Sequence, residues 1–269
     1  MAHRFLTFLT DFGLEDDFVG TCRGVVKRIA PDVEVLDITH GIPPQQILQG
    51  ALVLANTLSY MPTGVHLAVV DPGVGSDRRP VVLRAGERLF VGPDNGLLVP
   101  AAEKLGGIDA AFEIANRSLV LEPVSRTFHG RDVFAPVAAH LAAGLAVEEV
   151  GPAVERESLV RIDVPAPEVG SSRIRVIVLY VDRYGNVQVN ATTDDLARAG
   201  MQPGARVEMT VGGEPYFATV ATTFADVRRG DILVYEDSYQ NIAIAINGGN
   251  AAEMLDARAG DEVRVRLAP

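Results

Sequence analysis

Within the first seventy residues, three short apolar runs (RFLTFL at 4–9, VEVLDI at 33–38 and HLAVV at 66–70) alternate with two longer segments whose apolar residues recur at helical spacing. Strand, helix, strand, helix, strand is the order of a parallel sheet with helices on its faces. Asp16 and Asp17 precede the first helical segment and Pro31 closes it, while Pro43 and Pro44 precede the second. Acidic residues and prolines both suit the first turn of a helix. In such a sheet ligands gather at the carboxyl ends of the strands. TDFG and DPGVG each follow an apolar run directly, so they share that edge and chemistry is expected there.

PVVLRAG, RLFVG and AFEI add strands, PDNG turns into a helix near 97–105, and a helix over 131–144 starts right after Phe128-His129-Gly130. Beyond about residue 160 the character changes. IDVPAPEVGSSR has linker chemistry, and after it come seven short strand-like runs separated by turn signals, from IRVIVLYVD to EVRVRL. Such a series predicts a small β-barrel or sandwich. Only TTDDLARAG and NAAEML read as helical there. A chain of 269 residues suits two domains. No internal repeat, low-complexity tract or long charge run stands out.

A formal charge of −11 speaks against a nucleic-acid binder, because phosphate neutralisation needs clustered Lys and Arg. The single Cys22 excludes an internal disulfide and a multi-cysteine zinc site, which points to a reducing cytoplasm. Acidic residues arrive early in MAHRFLTFLTDFG, so neither secretion nor membrane insertion is expected.

VVDPGVGSDRRP at 69–80 admits several readings. A phosphate cradle would need a longer glycine pattern ending in Gly-Lys-Ser/Thr, and this stretch has no lysine. A type II turn fits, with Asp71 first, Pro72 fixing φ and Gly73 supplying a positive φ. A turn is also compatible with a site, since catalytic groups are commonly carried on loops set against a rigid sheet. His129 sits in RTFHGRD, and no pair among the five histidines has helical metal-site spacing. Asp11, like Asp94 and Asn95, could turn the chain, cap a helix or contact a ligand. Asp182 and Asn186 flank Gly185 as in a hairpin turn, and the Asn186 amide could equally read a purine edge.

Taken in order, LTDFG, DITHGIPP, VVDPGVGSDRR, FVGPDNGLL, TFHGRD, VDRYGNVQVN and NIAIAINGGNAAE cover nearly the whole chain. Together they resemble the S-adenosyl-L-methionine hydroxide adenosyltransferase family, relatives of the fluorinases and chlorinases. The resemblance implies an α/β N-terminal domain with a mainly parallel sheet and flanking helices over 1–163, a linker over 164–173, and a smaller C-terminal β-barrel domain over 174–269. It implies hydrolysis of S-adenosyl-L-methionine to adenosine and L-methionine by attack of water on the ribose C5′, with no cofactor and no metal. It also implies a homotrimer with sites between subunits.

By that resemblance the catalytic set falls on Asp71, Arg78 and His129, with Arg79 an adjacent competitor for the guanidinium role. Asp11 would hold the ribose hydroxyls and Asn186 the adenine edge, with Phe128, Tyr184 and Phe224 packing on base or ribose. Asp182 and Ser238 would hold the methionine ammonium and carboxylate. Asp71 and His129 stand where the halogenating relatives carry tyrosines, which favours hydroxide over halide. Gly130, Gln45 and Tyr239 also differ from the fluorinase, which has serine, tryptophan and arginine there. Two rivals are a halide-using adenosyl transferase and a protein that binds the sulfonium substrate without turnover.

Overall fold

The first apolar run folds as β1 (Phe5–Thr10), enters α1 (Phe18–Ile29) and returns as β2 (Glu34–Thr39); α2 (Ile47–Thr57) then leads into β3 (Val65–Val69). β4 (Pro80–Ala85) and β5 (Arg88–Pro93) form a hairpin, and α3 (Val99–Lys104) and β6 (Ala110–Glu113) follow. One π turn at Gly130–Phe134 opens α4 (Ala135–Ala142), and β7 (Ala153–Val154) is the last strand of this sheet. This computed structural model describes residues 2–268. It divides into two compact units, Met1–Ile162 and Asp163–Pro269.

In unit 1 the strand order is β2-β1-β3-β5-β4-β6-β7. β2, β1, β3 and β5 run parallel, while β4 and β7 run against the others. The sheet is therefore mostly parallel, as its alternating pattern predicts. Because side chains alternate across a strand, Leu6, Phe8, Val65, Leu67 and Val69 pack into one core cluster with α1 and α4. Leu9, Ala68 and Val70 pack into a second, with α2 and α3. The carboxyl ends of β1, β2 and β3 consequently open on one edge, with Asp11, His40 and Asp71 just past them.

One buried polar group in this sheet carries a pH consequence. His66 on β3 is fully buried, with Nδ1 2.8 Å from Thr7 Oγ1 and Nε2 3.1 Å from Arg88 Nη1. A guanidinium only donates, so Nε2 must accept and the ring is neutral. Burial, reinforced by the Arg88 charge, lowers the His66 pKa to about 3 from 6.5. A folded-state pKa below the unfolded one means that the stability is present above 6.5 and drains away as pH falls toward about 3. Denaturant unfolding at pH 5 should show roughly 2 kcal/mol less stability from this group than at pH 7. A His66→Gln variant, which has no titrating ring, should be flatter by that amount.

Unit 2 contains β8 (Glu168–Val169), β9 (Arg173–Val181), β10 (Val187–Val189), α5 (Thr193–Arg198), β11 (Arg206–Val211) and β12 (Glu214–Val220). It continues with β13 (Ile232–Glu236), β14 (Ile242–Ile246), α6 (Ala251–Leu255) and β15 (Glu262–Leu267). The order β10-β14-β13-β12-β11-β15-β9 closes on itself through the β9–β10 pairing, so seven strands form a barrel, with β8 added outside β9. Closure leaves no unpaired edge on the ring. Val176, Val178, Val187, Val189, Met209, Ile244 and Val263 fill its interior. β8 lies inside the stretch with linker composition, where Glu168 and Val169 pair with Arg175 and Ile174.

Candidate active site

Three loops meet at the sheet edge of unit 1. The first, TDFG, places Asp11 so that its Oδ2 accepts the Gln45 N–H at 3.0 Å; Gln45 has a positive φ of 68°. Burial raises the Asp11 pKa, its backbone hydrogen bonds oppose the rise, and the nearby charge of Asp71 adds to it. The register of β1 against β3 explains that proximity, since Thr10 lies opposite Val69.

The second loop turns at Asp71, whose carbonyl accepts the Val74 N–H at 3.3 Å. The positive φ expected at Gly73 falls instead at Gly75, with φ 77°. The turn is therefore not the type II turn that the Asp-Pro-Gly sequence suggests. A side chain at Gly75 would bring Cβ to 2.4 Å from the Arg126 carbonyl. That close approach seats the third loop, RTFHGRD, against the second. At Gly130 a Cβ would come within 2.8 Å of the Phe12 ring, which seats the third loop against the first. Any larger residue at either glycine would push the third loop away from its neighbour.

What the loops bring together is a buried charge cluster. Arg78 Nε and Nη2 donate to Asp71 Oδ1 and Oδ2 at 3.1 and 2.5 Å, and Nη2 also lies 3.3 Å from His129 Nδ1. The Arg78 and Asp71 side chains are only 8% and 6% exposed. The guanidinium lies over the Phe134 ring, 5.2 Å from its centroid. His129 Nδ1 faces a pure donor, so it accepts and the ring proton sits on Nε2. Burial first, then the Arg78 charge, lower the His129 pKa below 6.5, against the pull of Asp71 and Asp132.

Arg78 Nη1 is buried and has no hydrogen-bond partner; among the described residues only His40 Nε2 and Gln188 Oε1 share that condition. Buried polar groups are nearly always paired, so an orphan marks a place where something else binds. The neighbouring Arg79 turns away: it bonds Asp94 Oδ2 at 3.0 and 2.6 Å and the Ser158 carbonyl at 2.7 Å. It braces the end of unit 1. Phe128 packs edge-on against Phe12 and Phe18, at centroid distances of 5.8 and 5.1 Å, with the Arg131 guanidinium over its ring.

The other five candidate residues lie in unit 2. Asp182, Tyr184, Asn186, Phe224 and Ser238 all line one pocket of about 740 Å³. Asp182 Oδ1 accepts the N–H groups of Tyr184 and Asn186 at 2.8 and 2.9 Å, and its Oδ2 accepts the Asn186 amide at 2.7 Å. Asn186 is thus tied to Asp182, and its carbonyl oxygen is the end that remains to face a ligand.

The pocket also contains residues that sequence reasoning passed over: Tyr180, Gln188, Tyr235 and Asp237. A signal for one of them was present. D-x-Y-x-N occurs at 182–186 and again at 237–241. The second copy folds like the first, with Asp237 Oδ1 accepting the Tyr239 and Asn241 N–H groups at 2.8 and 2.9 Å. Gly185 and Gln240, in matching places, both have positive φ, 81° and 67°. Contrary to the expectation of no repeat, two like turns flank one pocket.

Residues 6–151 match the model of the SAM hydroxide adenosyltransferase N-terminal domain, and residues 176–264 match that of the C-terminal domain. The chain belongs to the SAM hydroxide adenosyltransferase family. A Salinispora tropica protein named (R)-S-adenosyl-L-methionine hydrolase is 46% identical over 267 residues, covering 97% of each chain. A fluorinase from Nocardia brasiliensis is 28% identical over 290 residues, covering 97% of this chain and 96% of that protein. The crystal structure of an uncharacterized conserved protein from Thermotoga maritima superposes with a TM-score of 0.89 at 39% identity, covering 97% of this chain and 99% of that one.

Among its described residues, this hydroxide adenosyltransferase has no group of three or more His, Cys, Asp and Glu placed to hold a metal ion. Nor, among those residues, is any helix long and apolar enough to cross a membrane.

Proposed function

We propose that this protein hydrolyses S-adenosyl-L-methionine to adenosine and L-methionine, with Asp71, Arg78 and His129 acting on the water. Near-full-length identity to a named hydrolase supports the reaction. The observation that carries the site is the orphaned Nη1 of Arg78, a buried cationic donor aimed at no protein group.

The sulfonium leaves as a neutral thioether, so no acid is needed on that side. Water oxygen forms a bond to C5′ while the C5′–S bond breaks, its electron pair goes to sulfur, and the water gives up a proton. Arg78 Nη1 stabilises the developing hydroxide. His129, with Nδ1 engaged, offers Nε2–H to the same oxygen and orients it. Each Asp71 oxygen accepts one Arg78 N–H and keeps a further lone pair, so Asp71 is the group with capacity for the proton. Hydroxide and sulfonium neutralise one another as they meet, so a water-poor site favours the step.

Asp11 holds the ribose hydroxyls and Phe128 packs beside it. Asn186, with Tyr184 and Phe224, holds the adenine, and Asp182 and Ser238 hold the methionine end. The water-handling groups belong to unit 1 and the pocket to unit 2, and one substrate must meet both. A homotrimer in which one subunit supplies each half follows from the family resemblance and is included in this proposal. So is a cytoplasmic location, supported by the lone buried Cys22.

Incubation with S-adenosyl-L-methionine, with and without chloride, followed by chromatography, tests the reading. Adenosine and methionine in equal amounts are expected in both. A 5′-chloro-5′-deoxyadenosine product would replace hydrolysis with halide transfer, and bound but unchanged substrate would leave only a binding protein.

A further inference from the structure

Three buried side-chain atoms lack a partner among the described residues. Arg78 Nη1 faces the proposed water, and His40 Nε2 has the Asp37 carboxylate 3.2 Å away. Gln188 Oε1 has no such explanation. Gln188 is 5% exposed, and its strand neighbours Val187 and Val189 belong to the barrel core. By alternation Gln188 points out of the barrel, into the pocket that it lines.

Strand register shows what surrounds it. Gln188 pairs with Tyr180 on β9 and Ala243 on β14, and Ala243 pairs with Tyr235 on β13. Tyr180, Gln188, Ala243 and Tyr235 therefore form one row across the outside of the barrel. The alanine leaves a low place between two rings, with a carboxamide beside it. Such a slot suits a flat heterocycle with one polar edge.

An orphan acceptor requires a ligand N–H or O–H. The ammonium of the substrate has better partners in the carboxylates of Asp182 and Asp237 on the pocket's two turns, because ionised pairs make the stronger hydrogen bonds. The neutral amide is left for a neutral amine. Resting on the S-adenosyl-L-methionine reading above, we infer that Gln188 Oε1 accepts an N–H of the 6-amino group of adenine and makes the pocket select 6-amino over 6-oxo purines. A 6-oxo purine would set a carbonyl against this acceptor, and a site built to hydrogen-bond one group rejects an analogue that leaves its buried atom unpaired.

Calorimetric binding of adenosine and inosine to the full-length protein tests this without requiring turnover. The wild type should bind adenosine at least about 30-fold more tightly. Gln188→Met, which keeps length and burial but removes the acceptor, should weaken adenosine about tenfold and bring the two nucleosides within about threefold of each other. Its kcat with S-adenosyl-L-methionine should stay close to wild type while KM rises. Equal affinities in the wild type, no binding of either nucleoside, or a folded Gln188→Met that keeps its preference would each overturn the assignment. The wild-type comparison stands even if that variant does not fold. Absence of hydrolysis with the preference intact would remove the proposed reaction and leave this assignment; hydrolysis without the preference would do the reverse.

Discussion

Replacing Asp71 with asparagine should slow adenosine release at saturating substrate by about 10³-fold, the range in which loss of a positioned proton acceptor falls. Asparagine has nearly the same shape, so the third loop stays seated. What it removes is charge and acceptor capacity. One oxygen can still accept from Arg78, but the amide NH2 faces a guanidinium that only donates. The Arg78 charge, nearly buried, then lacks its counterion, and breaking such a pair costs about 3–5 kcal/mol. The variant should accordingly unfold at lower denaturant while keeping substrate affinity within about tenfold, since Asp71 acts mainly as charge develops on the water. Single-turnover rates, with titrated binding and an unfolding curve, separate these effects. Release within tenfold of wild type would take Asp71 out of the chemistry.

Co-expression of two inactive variants should restore activity. One partner carries Asp71→Asn in unit 1, and the other carries Asp182→Ala with Asn186→Ala in unit 2. If each site of a homotrimer takes unit 1 from one subunit and unit 2 from another, random assembly makes about a quarter of the sites fully wild type. Activity should rise from near the background of either parent to about that fraction, measured at limiting substrate on the purified mixed oligomer. A mixture no more active than the sum of its parents would mean that each chain completes its own site, or that the chains do not assemble.

Much of unit 1 is written in local pattern. RFLTFL, VEVLDI and HLAVV become β1, β2 and β3, and the rule that parallel sheets present ligand groups at strand ends points straight at Asp11 and Asp71. The choice between Arg78 and Arg79 is of another kind. Both follow the same turn, and what separates them is the Asp94 and Ser158 contact on one side and the Asp71 contact on the other. Gly73 and Gly75 pose the same difficulty: an Asp-Pro-Gly triplet favours positive φ at the first glycine, while the Arg126 carbonyl from a distant loop demands bare space at the second.

In unit 2 the alternating runs identify the strands, but VQV reads as one more apolar stretch, and nothing in three letters says that Gln188 ends in a dry pocket. The twin D-x-Y-x-N turns are visible in the sequence only once their shared geometry is known.

The sequence by itself determined the class of each unit, the loops that carry chemistry and the family, because hydrophobic period and turn composition act over a few residues at a time. The tertiary structure alone decided which arginine meets Asp71, which nitrogen of His129 is engaged and which polar atoms are left unpaired. Those are properties of hydrogen-bond completeness, and a buried donor is satisfied or orphaned by whatever distant segment the fold happens to bring beside it.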